Sequence, residues 1–563
     1  MQLKNLSVTS ISKKIKLKIL FITPLLFISS TIFCQDTISI KDIPAAERVI
    51  GLQFKQAERD SLFDDVKNTV KEFNKMRQYK LDNSVPLSTW QTPVLPGMSF
   101  NTKQNAVSWT IPVNISLPKN KNELAFYSVL QLASLIKNKK ISAVELTQFF
   151  IDRIKKYGDT LQCVISVTEN LAMQQAQQAD KEIAAGKYRG PLHGIPYGLK
   201  DLFAVKGTKT TWGATPFKNQ TIDEDAYVYT KLKEAGAVLI AKFTLGALAM
   251  GDYWYGGRTK NPWNLKRGSS GSSAGSTAAT VAGLVPFAIG TETWGSIISP
   301  STNCGATGLR PTFGSISRSG AMALSYSLDK VGPICRSAED AAIVFNFLHG
   351  TDGKDQAAVN MPFNYTGKTN FTKLKIAYAK NYFNKGDTLG NELKVLEVYR
   401  KLGATLIPVD FPDSTVYNFD IMSIIISAEC AAQFDDFTRS EMDDMMTRQG
   451  KNDWPNQFRS ARFIPAVEYI NAYRHRYLLM QKVNAIINQY DVFICPTYGG
   501  NQVAITNLTG HPALCFPTGY NKNNLPTNIT LIGKLYSEAT LLAAAKAYQD
   551  ATEFNKQHPE FFK

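Results

Sequence analysis

Histidine is scarce in this sequence, and the patterns that bind metals or nucleotides are missing from it. The 563 residues include only five histidines, and they contain no C-x-x-C, no H-E-x-x-H and no cluster of cysteine with histidine. Zinc sites depend on such clusters, so no metal is predicted. Gly367-Lys368-Thr369 has Pro362 where a phosphate-binding loop needs its first glycine, and no G-x-G-x-x-G follows a predicted strand. We therefore expect neither a metal nor an organic cofactor.

Acidic residues are fewer than basic ones, 47 against 63, which gives a formal net charge of +16. Five of the lysines lie within residues 1–35, where there is no acidic residue. The other charges are spread along the chain, without a block of like charges or a basic stretch interleaved with aromatic residues. This distribution is typical of a solvated basic surface and not of a nucleic-acid groove. No nucleic-acid partner is predicted.

Long apolar runs are also rare, and one of them, residues 19–34, lies near the amino terminus. Four lysines between residues 13 and 18 precede an apolar segment, residues 19–34, which contains Pro24. A basic region followed by a short apolar region is typical of a secretory signal peptide. The segment is shorter than the roughly 20 residues that cross a membrane as a helix. We predict that residues 1–35 are a cleaved signal peptide, that the mature protein is periplasmic or secreted, and that it has no stable membrane span. An uncleaved membrane anchor is the weaker alternative.

Cysteine is infrequent, with seven residues, of which six would remain after signal cleavage. The neighbours of Cys495 and of Cys515 are apolar, which favours buried free thiols over disulfide bonds. A chain of this length can bury a large core and has no need of disulfide bonds for its stability.

The remaining sequence is predicted to form an extension and one large domain. Residues 36–122 are a proline-containing arm with one amphipathic helix near residues 45–77, and residues 123–560 form the main domain. Ser142 and Glu145 have the spacing of a helix capping box ahead of an apolar helical face. Helical patterns then alternate with short apolar strands, among them residues 237–240 and 492–494. This alternation favours an α/β fold with a mixed sheet covered by helices.

Two turns rich in small residues are candidates for chemistry. The first is the glycine- and serine-rich run of residues 268–276, and the second is Thr293-Trp294-Gly295-Ser296. The glycine- and serine-rich composition of residues 268–276 is also typical of a flexible linker. However, apolar residues resume directly after this run, as expected of a buried segment. Glycine-rich turns let backbone N–H groups converge on an anion such as the oxyanion of an acyl-transfer intermediate. We therefore expect a serine nucleophile in this region.

A serine nucleophile needs a base, and the histidines are poor candidates because none lies in a serine-rich or acidic surrounding. His193 is the most tempting of them, within Pro191-Leu192-His193-Gly194. Lysine can act instead if burial lowers its pKa by about 3 units toward neutrality. Lys200 follows the apolar run Ile195-Pro196-Tyr197-Gly198-Leu199, where a lysine that has no functional role would be unfavourable. Most lysines are solvated surface groups, so spacing alone leaves both interpretations open.

A resemblance to a known family favours Lys200 as a base over Lys200 as a surface group. Several motifs occur in the order found in the amidase signature family, over about residues 123–555, and we identify the chain as similar to that family. The motifs are Gly194-Ile195-Pro196-Tyr197-Gly198-Leu199-Lys200-Asp201, Asp223-Glu224-Asp225-Ala226, Asn261-Pro262-Trp263-Asn264, the two turns above, Gly308-Leu309-Arg310-Pro311-Thr312 and Thr506-Asn507-Leu508-Thr509-Gly510-His511-Pro512-Ala513.

The resemblance implies a catalytic triad of Lys200, Ser272 and Ser296. Neutral Lys200 takes a proton through Ser272, Ser296 attacks the amide carbonyl carbon, and the proton returns to the leaving amine. The backbone N–H groups of Thr293, Trp294, Gly295 and Ser296 would form the oxyanion hole. The implied enzyme is an amidohydrolase for a small-molecule amide, and a homodimer is left open. Trp294 and Ile298 depart from the family's usual glycine and arginine, and we expect Trp294 to crowd or line the substrate pocket.

Three alternatives compete with the main interpretation, an exported amidase that cleaves linear amides. Gly271-Ser272-Ser273-Ala274-Gly275 matches the nucleophile elbow of an α/β-hydrolase, with Ser273 as nucleophile, but the polar sequence before it does not predict the strand that this motif needs. A glutaminase, the A-type subunit of a tRNA-dependent amidotransferase, would have the same fold as the amidase, and predicted export argues against it. A family member that binds a ligand without turnover is the third.

Overall fold

The computed structural model describes residues 38–563 except 77, 80–81, 86–88, 90, 384–389 and 414–418. The chain separates into one unit that ends at Gln78 and a second unit, Tyr79–Lys563. The predicted signal peptide, residues 1–35, lies outside the described residues and stays a prediction, as do the boundaries at residues 122 and 123. Among the described residues, no helix combines the length and the apolarity needed to cross a membrane.

The first unit contains two helices where the sequence predicted one. They are α1 (Ile43–Ile50) and α2 (Gln56–Met76). Gly51 ends α1 with a left-handed backbone, φ +70°, which glycine adopts without steric strain. The amphipathic pattern continues across this position, so the prediction of a single helix was wrong because it ignored the glycine.

The second unit is built on a mixed sheet of eleven strands, as predicted. In spatial order the strands are β1-β3-β2-β8-β10-β9-β14-β15-β13-β11-β12. Their bounds are β1 Val164–Val167, β2 Pro196–Lys200, β3 Val238–Phe243, β8 Phe287–Glu292, β9 Thr307–Arg310, β10 Lys330–Cys335, β11 Ile376–Ala379, β12 Leu406–Val409, β13 Val492–Pro496, β14 Ala513–Tyr520 and β15 Pro526–Ile532. Strand β2 runs parallel to β3 and β8, and β11 runs parallel to β12 and β13, whereas the other pairs are antiparallel.

Two short ribbons lie outside this sheet. They are formed by β4 (Tyr253–Trp254) with β5 (Gly257–Arg258), and by β6 (Lys260–Asn261) with β7 (Asn264–Gly268). Strand β7 precedes Ser272 and Ser273, so the expectation that no strand lies there was wrong. Because β7 pairs with β6 and not with the central sheet, it does not place Ser273 where a nucleophile elbow places its serine.

Helices cover the sheet, with α5 packed on β3, α7 on β8, α9 on β10 and α17 on β14. Ser142 and Glu145 form the predicted capping box at the start of α4. The helices of this unit are α3 Val129–Lys137, α4 Ala143–Leu161, α5 Glu169–Ala184, α6 Tyr227–Glu234, α7 Ala274–Val281, α8 Ile298–Cys304, α9 Ala338–Leu348, α10 Lys380–Phe383, α11 Asn391–Lys401, α12 Phe419–Gln433, α13 Asp435–Arg439, α14 Trp454–Ala461, α15 Ala466–Ile487, α16 Gln502–Thr509 and α17 Glu538–Thr552.

Strands β2, β3 and β10 are buried along their whole length. Gly198 shows how closely β2 and β3 pack, since a Cβ atom at this position would lie 2.0 Å from Cε2 of Phe243. The six cysteines in the described part of the chain are buried free thiols, which confirms the prediction for Cys495 and Cys515.

Candidate active site

The sheet order brings distant parts of the sequence to one edge. Strands β2 and β8 are parallel neighbours, so their carboxyl ends, at Lys200 and Glu292, lie on the same side of the sheet. Strand β10 runs antiparallel to β8 and begins at Lys330, which is opposite Glu292. Asp329, the residue before β10, therefore lies at the same edge. Ser296 lies in the turn that follows β8.

Lys200 is completely buried at this edge and hydrogen-bonds to hydroxyl groups. Its Nζ donates to Oγ of Ser272 at 2.8 Å, to Oγ1 of Thr291 at 2.8 Å and to Oγ of Ser273 at 3.2 Å. Burial lowers the pKa of Lys200 to about 7, while the carboxylates of Asp329 and Glu292 act in the opposite direction. A substantial fraction of this amine is thus neutral near pH 7 and able to accept a proton from Ser272.

Ser273 is held differently from Ser272. Its Oγ donates to the carbonyl oxygen of Thr291 at 3.0 Å and accepts from the Thr291 N–H at 3.2 Å, and the residue is fully buried. Its own N–H donates to the carbonyl oxygen of Ser296 at 3.1 Å, which places the serine-rich turn directly beside the second turn. With both lone pairs and its proton engaged, Ser273 is a structural serine and a poor nucleophile.

The second turn presents unused donors. Within the described part of the chain, the backbone N–H groups of Thr293, Gly295 and Ser296 donate to no other residue, and Oγ of Ser296 has no hydrogen-bond partner. Ser296 is 8% exposed. Gly295 has φ +87°, a conformation that glycine adopts without strain. Convergent free N–H groups next to a free serine hydroxyl are what an oxyanion hole requires. The triad and the oxyanion hole themselves stay predictions.

Glu292 fixes the segment that follows Ser296. Its Oε2 accepts the N–H groups of Ile297 and Ile298, both at 2.8 Å. Its Oε1 accepts Nη1 of Arg310 at 2.9 Å and Nδ2 of Asn507 at 2.8 Å. Burial acts to raise the pKa of Glu292, but the Arg310 guanidinium and these hydrogen bonds outweigh it and keep the pKa below its ordinary value. Glu292 is therefore a buried carboxylate that holds the backbone directly after Ser296 in place.

We expect Arg310→Met to destabilise the protein and to slow its chemistry. Arg310 and Glu292 are both completely buried, and removing one partner of such a pair costs about 3–5 kcal/mol because it leaves a buried charge uncompensated. Urea unfolding measures the loss of stability. The double variant Glu292→Gln, Arg310→Met is the control, since it removes both charges and should recover much of the stability. Equal destabilisation in the single and double variants would contradict a role for the ion pair.

Asp329 connects the turn that contains Thr293 and Ser296 to the loop of residues 324–325. Its Oδ1 accepts the hydroxyl of Thr293 at 2.6 Å, and its Oδ2 accepts the N–H groups of Leu324 and Ser325 at 2.8 and 2.9 Å. Burial raises the pKa of Asp329, although these hydrogen bonds oppose the shift. Asp329, Thr291 and Glu292 were not predicted as site residues from the sequence. The sequence signal for Thr291 and Glu292 is their position between the apolar residues 287–289 and the turn at Thr293, whereas Asp329 has no local signal.

A cavity of about 230 Å³ adjoins the site. Thr291 and Thr293 contribute to its wall, together with the apolar side chains of Leu202, Met322 and Leu324. Trp294 does not line this cavity. Instead it packs against an apolar cluster that includes side chains of α12, α15 and α16. The expectation that Trp294 lines or crowds the pocket therefore fails for this cavity.

Two histidines that could have served as bases lie in other surroundings. His193 is buried beside Glu182, with Nε2 at 3.4 Å from Oε2. A Ser273 mechanism would need His511 or His475 as its base, and His511 is buried and shares a hydrogen bond of 2.8 Å with Oγ1 of Thr509. Burial, with a contribution from Arg310, lowers the pKa of His511 to about 3. An imidazole this weakly basic is unsuited to general base catalysis at neutral pH.

This fold and this lysine–serine arrangement are those of an enzyme that acts on amide C–N bonds. The sequence matches the amidase family over residues 145–504, and the chain belongs to that family, the amidase signature enzymes. It is 35% identical to the A subunit of glutamyl-tRNA(Gln) amidotransferase from Coxiella burnetii, over 77% of this chain and 99% of the relative. It is 33% identical to the corresponding subunit from Carboxydothermus hydrogenoformans, over 78% of this chain and 100% of the relative.

Solved structures agree with the fold. Native peptide amidase from Stenotrophomonas maltophilia superimposes with a TM-score of 0.69 at 27% identity, over 78% of this chain and 99% of that protein. The resemblance predicted from the sequence is thus confirmed. The predicted main function, an exported amidase, is contradicted by the curated relatives, which are the A subunits of amidotransferases. The A-type alternative agrees better with them, and predicted export was a misleading reason to set it aside.

Proposed function

We propose that this protein is an amidotransferase subunit of the A type, which hydrolyses the carboxamide of a glutamine-like donor and releases ammonia for a partner subunit. The similarity to A subunits over nearly their whole length carries this proposal. The name of those relatives specifies glutamyl-tRNA(Gln). For this chain we propose only the hydrolysis of the amide donor. The molecule that accepts the ammonia would be bound by the partner subunit.

The chemistry follows from the site. Lys200 removes the proton of Ser272, Ser272 removes that of Ser296, and Oγ of Ser296 forms a bond to the carboxamide carbon. The free N–H groups of Thr293, Gly295 and Ser296 stabilise the oxyanion, and losing one such donor typically costs about 2.7–4 kcal/mol of transition-state stabilisation. The C–N bond breaks, the relayed proton leaves on ammonia, and water then hydrolyses the acyl ester to a carboxylate and restores the Ser296 hydroxyl.

The cavity suits a small donor. Its volume of about 230 Å³ is below the roughly 300–1,000 Å³ of sites that hold drug-sized ligands. Exposed Glu224 and Lys354 both line it, and they offer opposite charges to the ammonium and carboxylate groups of an amino acid. These features support a zwitterionic amino acid amide over a long acyl amide.

The test is ammonia release from glutamine, asparagine and a peptide with a C-terminal amide, each with the purified full chain. We expect glutamine to be the best donor, and hydroxylamine to trap the acyl-enzyme as γ-glutamyl hydroxamate. Cleavage of the peptide amide without any release or trapping from glutamine would overturn the proposal. Adding glutamine to that reaction as a competitor shows whether it binds at all.

A further inference from the structure

A short segment of the arm, residues 83–85, lies against the loop of residues 323–326. Nδ2 of Asn83 donates to the carbonyl oxygen of Ala323 at 2.9 Å, and Oδ1 of Asn83 accepts the N–H of Ala323 at 2.9 Å. The hydroxyl of Tyr326 donates to the carbonyl oxygen of Val85. A side-chain amide that pairs with both groups of one peptide residue fixes the position and the orientation of the segment around Asn83 on this loop.

This segment forms part of the cavity wall. Asn83 and Ser84 line the same cavity as Thr291 and Thr293. Thr291 accepts a hydrogen bond from Lys200, and Thr293 begins the turn that carries Ser296. The matched family region begins at residue 145, so the arm lies outside it. Asn83 and Ser84, which lie outside the matched region, therefore add a wall to a cavity whose other walls come mostly from the matched region.

We propose that Asn83 is a specificity-determining residue, which holds residues 83–85 as a wall and limits the acyl group that can occupy the cavity beside Thr293 to a short one. The proposal rests on the amide-hydrolysing function proposed above and names a property of its substrate, a short acyl chain. The group attached to the reacting carbon extends from the nucleophile turn into the space beside Thr293. Moving the segment around Asn83 away from Ala323 lengthens that space, while the residues at the reacting centre stay in place.

The experiment measures how fast alkyl fluorophosphonates of two chain lengths, ethyl and decyl, label Ser296. Labelling needs the nucleophile but no turnover, so it is independent of which amide is the natural substrate. We expect the ethyl reagent to react faster with the wild-type protein, by about tenfold or more, because a long chain does not fit. In Asn83→Ala we expect the decyl rate to rise by about tenfold and the ethyl rate to change by less than about threefold.

Gln104→Ala is the matched control. Gln104 makes the same double contact with one peptide residue, since its Nε2 donates to the carbonyl oxygen of Phe363 at 3.1 Å and its Oε1 accepts the Phe363 N–H at 2.8 Å. Gln104 does not line the cavity, so this variant should keep the wild-type ratio of the two rates. Equal rates in the wild type, or parallel changes of both rates in Asn83→Ala, would overturn the proposal.

Asn83→Asp is a second variant in case the alanine variant does not fold. It keeps the size of the side chain and the acceptor for Ala323 N–H but replaces the donor with an oxygen that faces a carbonyl, so it should also raise the decyl rate. Hydrolysis of acetamide, butanamide and octanamide separates this proposal from the proposed function. If glutamine is inert but short amides are cleaved faster than octanamide, the donor assignment fails and the size limit stands. If octanamide is cleaved as fast as acetamide, the size limit fails.

Discussion

Ser296→Ala should abolish amide hydrolysis, with kcat reduced by roughly 10⁴–10⁶-fold, the range seen when a serine nucleophile is removed. The structure gives the reason, because Oγ of Ser296 has no partner among the described residues and lies in a turn with free N–H groups. Fluorophosphonate labelling followed by mass spectrometry should place the label on Ser296 in the wild type. The variant should take up no label.

Two controls make this result specific. Ser276→Ala removes a buried serine of α7, whose hydroxyl donates to the carbonyl oxygen of Ile289 at 3.1 Å, and should lower stability by about 1 kcal/mol with little change in rate. Ser273→Ala tests the nucleophile-elbow alternative. Label on Ser273 in the wild-type protein, or full activity of Ser296→Ala, would contradict the assignment of the nucleophile.

The residues proposed to react were named from the sequence because each lies in a contiguous motif. Lys200 ends an apolar strand, and Ser272 and Ser296 lie in turns that the resemblance aligns. Their proximity follows from strand order, which places β2 beside β8 although the two strands are far apart in the sequence. Sequence patterns predicted short apolar strands but not their order in the sheet.

The supporting residues could not be found in the same way. Asp329 meets Thr293 because β10 runs antiparallel to β8, and the sequence contains no local sign of that pairing. Asn83 contacts Ala323 across 240 residues of sequence. Such contacts depend on the packing of complete elements, whereas caps and strands depend on neighbouring residues. The capping box at Ser142 was accordingly predicted, while the wall at Asn83 was not.

Substrate class was the point at which the sequence misled. The apolar segment at residues 19–34 favoured export, and export weighed against an A-type subunit. The similarity to A subunits covers 77% of this chain, whereas an amino-terminal targeting segment carries no information about the substrate pocket. Function is set by the site, so evidence from the site has the greater weight.

Lys200→Met should lower kcat by about 10³–10⁴-fold, because it removes the general base while the nucleophile and the oxyanion donors remain. In the wild type, burial lowers the pKa of Lys200 to about 7, and only the neutral amine can accept a proton. We therefore expect kcat/KM to rise with pH, by about tenfold per unit well below pH 7, and to level off above it. Rates measured from pH 5 to 9 in one ionic strength test this profile. A flat profile between pH 6 and 8 would contradict Lys200 as the base.

The substitution Lys200→Met should remove activity without lowering stability. Between pH 7 and the ordinary lysine pKa of 10.5, the unfolded chain binds a proton on Lys200 that the folded chain lacks, so this group makes stability rise with pH in that window. Lys200→Met removes that pH dependence, and its Tm at pH 7 should equal or exceed that of the wild type. Lys200→Arg is the control, since arginine stays protonated and should be both inactive and destabilised in this buried place. A Lys200→Met variant that is inactive and also unfolds far below the wild type would show that the lysine is structural. Inactivity in a protein of undiminished Tm identifies it as the base.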